Sequence, residues 1–135
     1  MKRIALSLLL IVALLAACGG PSNDTPQDLV QTLLKSIANS DIKTYSNYAV
    51  YYDRAKVLDA FMKARESGTR AGVDWDTINI KNIELDGDDD YVATFESAGK
   101  LFSVKMYSIE KSEKGFVKKT SVIGSIRKVR ASSDY

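Results

Sequence analysis

The chain is expected to be α+β, with N-terminal helices packed on a curved four-stranded antiparallel sheet. Three observations carry this expectation. Apolar residues recur at helical spacing as far as Ser67, the spacing changes to alternation from Thr77 onward, and the two regimes follow one another instead of interleaving. Interleaved strands and helices would have implied a parallel sheet, whereas successive strands with short turns imply hairpins.

Before the domain comes a leader. Lys2 and Arg3 precede an uncharged apolar run from Ile4 to Ala17, closed by Cys18-Gly19-Gly20-Pro21. A basic start, an apolar stretch and small residues before a cut are the parts of an export signal. The run is shorter than the roughly 20 residues that cross a bilayer as a helix. Leu15-Ala16-Ala17-Cys18 resembles the bacterial lipobox (Leu, small, small, Cys). The resemblance implies cleavage between Ala17 and Cys18, a diacylglycerol on the Cys18 sulfur, and a fatty acid such as palmitate on the freed amine. One acyl chain holds a protein only marginally at about 0.8 kcal/mol per buried CH₂, so two or three chains on one residue make a stable anchor. Ordinary secretion with an idle thiol is the alternative.

Cleavage after residue 17 would leave 118 of the 135 residues, enough for one domain. Losing Lys2 and Arg3 brings the 19 basic residues to 17, matching the 17 acidic ones. The mature chain is then formally neutral, and the pI near 8.6 belongs to the precursor. With its one cysteine consumed, no disulfide can form, and the fold must stand on its core. The expected division is a signal peptide over 1–17, a lipidated tether over 18–24, a domain over 25–130 and a tail over 131–135.

Within the domain, Thr25 is placed to cap a helix that has Pro26 at its first position and Asp28 in its first turn. Val30, Leu33, Leu34, Ile37 and Ala38 form its apolar stripe, with Gln27, Gln31, Lys35 and Ser36 opposite. Asp41 caps a second, short helix presenting Ile42, Tyr45 and Tyr48 on one face. A third, about Asp53 to Ser67, carries Val57, Leu58, Phe61, Met62 and Ala64, with Gly68 as its stop. Strands are expected over Thr77–Leu85, Tyr91–Glu96, Leu101–Lys111 and Phe116 to about Val129. The change of phase between Ile80 and Ile83 predicts a bulge near Lys81 and Asn82.

The opening Thr25-Pro26-Gln27-Asp28-Leu29-Val30, with Asn39-Ser40-Asp41-Ile42-Lys43-Thr44-Tyr45, resembles the start of nuclear-transport-factor-2-like, or cystatin-like, domains. In that superfamily a long N-terminal helix is wrapped by a bent antiparallel sheet, and its members include enzymes, ligand binders and scaffolds. The resemblance implies the same architecture over about Thr25 to Val129, with any site in the cone between helix and sheet. Enzymes of that fold often pair Asp with Tyr or His there.

The chain has no histidine, which removes the commonest general base and metal ligand and every Ser/His or Cys/His pair. Tyr45, Tyr48, Tyr51, Tyr52 and Asp53 form the one cluster that could pair a carboxylate with a phenol; tyrosines capping a core is the plainer reading. Asp86, Asp88 and Asp90 copy the first ligands of a calcium loop. Tyr91 stands where its glycine belongs and Ser97 where its glutamate belongs, so the stretch reads as a hairpin turn. Lys111, Lys114, Lys118, Lys119, Arg127, Lys128 and Arg130 are accompanied only by Phe116, which is poor equipment for nucleic acid. Trp75, between Asp74 and Asp76, is either the closing residue of the core or an anchor for a ligand.

The resulting expectation is a lipid-anchored cell-envelope protein, at the outer membrane in a Gram-negative cell, whose domain binds without catalysing. Cys18 is its lipidation site and Tyr45, Tyr48, Tyr52, Asp53 and Trp75 are its candidate binding residues. No catalytic residue, metal, cofactor or nucleic-acid partner is expected; the membrane is one partner, and an envelope protein or small ligand is another. An immunity lipoprotein against a toxin or phage factor, and an isomerase or dehydratase built on Asp53 and a tyrosine, remain open.

Overall fold

A computed structural model describes residues 21–130. The leader, Cys18 and the tail lie outside the described residues. Three helices pack on a four-stranded antiparallel sheet. Helix α1 spans Pro26–Ala38, α2 Ile42–Tyr48 and α3 Arg54–Ala71, followed by a 3₁₀ turn at Trp75–Thr77. The strands are β1 Asn79–Leu85, β2 Tyr91–Ser97, β3 Lys100–Met106, β4 Ile109–Ser112, β5 Gly115–Lys118 and β6 Arg127–Lys128. The main sheet runs β1-β2-β3-β6, and β4-β5 is a separate hairpin.

Helix α1 begins as its sequence dictates. The Thr25 side chain accepts the Asp28 amide at 3.0 Å, with Pro26 next to it. Leu29, Val30, Leu33, Leu34 and Ile37 are all fully buried. The stripe is wider than expected, because the main sheet, the β4-β5 hairpin, α2 and α3 all pack on this helix. Ser36 is therefore buried and donates to the Thr32 carbonyl at 2.8 Å, while Ala38 stays half-buried at the margin.

Helix α3 runs past the expected stop. Gly68 lies inside it, where a Cβ would meet Trp75 Cζ2 at 2.3 Å, so the glycine serves a close approach of the indole. Gly72, at φ 103°, ends the helix in the left-handed conformation.

The bulge falls where expected, between Ile80 and Asn82. The third expected strand breaks in two because Ser108, at φ 56°, turns the chain out of line between β3 and β4. The fourth shrinks to β5 and the two residues of β6. The chain between them joins the sheet through a single bridge from Ile123 to Met106. Phe95 and Phe102, both fully buried, stack across β2 and β3 with centroids 5.6 Å apart.

The last residues of the expected 18–24 tether are bonded to the domain. Ser22 exchanges hydrogen bonds with the Thr32 hydroxyl, and Asn23 is bonded to the β4-β5 hairpin. The domain therefore starts at Ser22, not Thr25.

Candidate functional site

One flank of α1 stays open. Gln31, Lys35 and Ala38, spaced at i, i+4 and i+7, face Trp75, Asp76, Ile78, Asn79 and Ile80 across a groove of about 400 Å³. β1 is an edge strand, so its outer backbone groups border this space. The lining joins one indole and one ammonium with the carboxylate of Asp76 and the amides of Gln31, Asn39 and Asn79. Such a set can hold a polar, extended ligand by hydrogen bonds and ring contact, and it contains no nucleophile paired with a base.

Trp75 is fixed from three sides. Its Nε1 donates to Thr69 Oγ1 at 3.0 Å, its ring rests on Gly68, and the Arg65 guanidinium sits 5.1 Å from the ring centroid. Arg65 Nη1 also donates to the carbonyls of Ile37 (2.5 Å) and Ala38 (2.8 Å), closing the end of α1. Behind the turn, Ser97 Oγ and Asp74 exchange backbone bonds at 2.7 and 2.8 Å. Arg65→Ala is expected to cost about 2 kcal/mol, from two charge-assisted bonds and the ring contact. Its check is a lower urea midpoint together with a changed Trp75 emission spectrum.

The sequence candidates divide into two places. Trp75 lines the groove; Tyr45, Tyr48, Tyr52 and Asp53 do not. Tyr45 is buried edge-to-face on Phe61, with centroids 5.1 Å apart. Its hydroxyl has no hydrogen-bond partner among the described residues, and burial raises its pKa. Tyr45→Phe is therefore expected to stabilise the domain by about 1 kcal/mol, since it removes a buried hydroxyl without breaking a bond; thermal unfolding would show the midpoint rise.

Tyr48 is half-buried against the core. Tyr52 is 84% exposed and lies 4.6 Å from Tyr51, whose hydroxyl raises the Tyr52 pKa, helped by the nearby Asp53 charge. Asp53 caps α3, its carboxylate accepting the Lys56 amide at 3.2 Å. Arg54 braces this corner, donating to the carbonyls of Ser46, Ala49 and Tyr51.

The acidic loop is a hairpin turn, with the Asp86 amide bonded to the Asp90 carbonyl at 2.7 Å. Two of its carboxylates, those of Asp86 and Asp90, engage the protein itself. Lys105 Nζ lies 3.3 Å from Asp86 and 4.0 Å from Asp90, and Asp90 Oδ1 accepts the Ser108 amide. The Asp86 contact raises the Lys105 pKa despite some burial. Among the described residues no group of three or more acidic or thiol side chains is placed to hold a metal ion.

Lys118 stands apart from the C-terminal basic residues it was grouped with. It is fully buried, and its Nζ donates to the carbonyls of Tyr107 and Thr120, both at 3.1 Å, and of Val122. Burial depresses its pKa from 10.5 to about 7, with Asp90 pulling weakly upward.

Sequence reasoning missed Gln31, Lys35, Asn39 and Asn79 as groove residues. Their only signal was polarity on a helix flank and a strand edge, which any solvated surface shares. Among the described residues, no helix is long and apolar enough to cross a membrane. Comparison with family models, curated proteins and solved structures gave no match.

Proposed function

We propose that this chain is a cell-envelope lipoprotein whose nuclear-transport-factor-2-like or cystatin-like domain is a non-enzymatic binding module, using the Trp75 groove. The observation that carries the reading is Cys18 directly after Leu15-Ala16-Ala17, behind a basic and apolar leader. Supporting the binding part, the groove gathers amides, one charge of each sign and a braced indole without a reactive pair.

The test is expression of the complete chain in a bacterium, followed by mass spectrometry of its N-terminal peptide. The expected product begins at Cys18, carries fatty acids and enters detergent. Cys18→Ser is expected to abolish both cleavage and acylation. A wild-type product still starting at Met1, or bare at its sulfur, overturns the anchor. For the groove, a ligand or envelope protein crosslinked by the wild type is expected to be lost in Lys35→Glu; retention in that variant counts against the site.

A further inference from the structure

Resting on the reading of the Trp75 groove as a binding site, we propose that its ligand is a short extended peptide of a partner protein. The peptide adds to the edge of β1 as an antiparallel strand and turns an acidic side chain toward Lys35.

The backbone of the edge carries the inference. Ala98 and Gly99 both have positive φ, 51° and 77°, so a two-residue type I′ turn joins β2 to β3, and Ser97 and Lys100 at its ends exchange hydrogen bonds. Bonded and non-bonded pairs alternate from there. Phe95 and Ala93 therefore bond to β3, while Glu96, Thr94 and Val92 direct their peptide groups at β1, where Asn79, Asn82 and Glu84 stand opposite. Ile80 and Ile83 are left with their N–H and C=O pointing away from the sheet. Among the described residues no hydrogen bond meets them there. Ile80 lines the groove, so an open donor and acceptor border the space that a ligand fills.

The side chains of β1 do not guard this edge. A lysine reaching outward is a common barrier to a further strand, but Lys81 Nζ lies 4.0 Å from Glu96 on β2, back over the sheet. Asn82 Nδ2 donates to Glu84 Oε1 at 2.7 Å, so these two satisfy each other. The bulge is what limits the edge. It sets the outward groups of Ile80 and Ile83 three residues apart, where a flat partner strand needs two. A second copy of β1 carries the same break, whereas a short peptide meets only the unbroken part up to Ile80.

Charge selects the side chain. The residue paired with Ile80 shares its face, and Ile80 packs toward the core, so that residue's side chain is turned to the α1 flank with Gln31 and Lys35. Neither Lys35 nor Asp76 makes an ion pair among the described residues. A carboxylate at this position gives Lys35 a counter-charge, and Asp76 in the turn before β1 disfavours a second one. Main-chain bonds then supply affinity and the one inward side chain supplies selectivity.

The experiment uses the full chain, isotope-labelled in detergent micelles, titrated with the capped peptide acetyl-Thr-Val-Glu-Val-Thr-amide and followed by NMR. At saturation, hydrogen exchange of the Ile80 amide is expected to slow at least about tenfold, because that N–H gains a strand partner, while the Glu84 amide, already bonded to β2, barely changes. N-methylation of the peptide's glutamate removes the donor facing Ile80 and is expected to weaken binding at least about tenfold. Lys35→Glu is expected to weaken the glutamate peptide and to strengthen its lysine counterpart, each by at least about threefold. Groove shifts without slowed exchange at Ile80, or equal binding of the N-methylated peptide, overturn strand addition and leave the groove standing as a site. Ile80 exchange that is already slow without peptide, and is restored by dilution, assigns the edge to a second copy and overturns the proposal. Absence of any shift at Gln31, Lys35 or Trp75 overturns the peptide; the groove itself falls only if Lys35→Glu also keeps the crosslinked ligand.

Discussion

Lys118→Ala is expected to lower the stability of the domain by about 3 to 5 kcal/mol, because three buried carbonyls lose their donor and a cavity opens. The Nζ of Lys118 holds Tyr107, Thr120 and Val122 together, while its own carbonyl accepts the Val50 amide at 2.8 Å. One residue thus joins the hairpin, the turn after β3, the loop after β5 and the chain leaving α2.

The loss should depend on pH, with a sign that the burial fixes. The folded-state pKa is depressed to about 7 from 10.5. Between those values the unfolded chain holds a proton that the folded one lacks. Wild-type stability from this group therefore rises with pH, by up to about 1.4 kcal/mol per unit, and is least below pH 7, where the fold must carry a buried charge. Lys118→Ala abolishes that slope, so its deficit is larger at pH 9 than at pH 6. Urea unfolding at both values measures the difference, and a pH-independent deficit would sink the account.

Phe102→Ala is expected to cost a similar amount, about 3 to 5 kcal/mol. The ring is fully buried and stacked on Phe95 with an interplanar angle of 24°, so truncation removes both area and a specific contact. Leu101, its neighbour on the opposite face of β3, is 40% exposed. Its replacement by alanine should change stability by no more than about 0.5 kcal/mol. Chemical denaturation of the two variants side by side tests the face assignment directly.

Elements with local chemistry were legible in the sequence. Thr25 and Asp41 each cap a helix as expected, accepting amides three residues on, and the phase change in β1 marked its bulge; Asp53, expected as a binding residue, is the cap of α3. What escaped was decided at long range. The apolar phase of Phe102, Val104 and Met106 moves to Tyr107 and Ile109, the same sign that marked the β1 bulge, yet it does not say that the backbone turns out of line at Ser108 with a positive φ. Gly68 looked like a stop, and its purpose is clear only once Trp75 lies on it.

The groove was half legible. Trp75 stood out by its rarity, while its partners on α1 were ordinary polar residues until β1 arrived beside them. Lys118 was the deepest misreading, since a cation among cations gave no hint that carbonyls 2 to 11 residues away would enclose it.

The covering of α1 by a hairpin far down the chain also constrains the order of synthesis. Five fully buried apolar side chains of α1 are made early, yet part of their cover, β4 and β5, ends only at Lys118. A nascent chain therefore cannot complete its core until nearly all of it has been translated. Such late closure makes C-terminal truncation more harmful than the sparse β6 would imply.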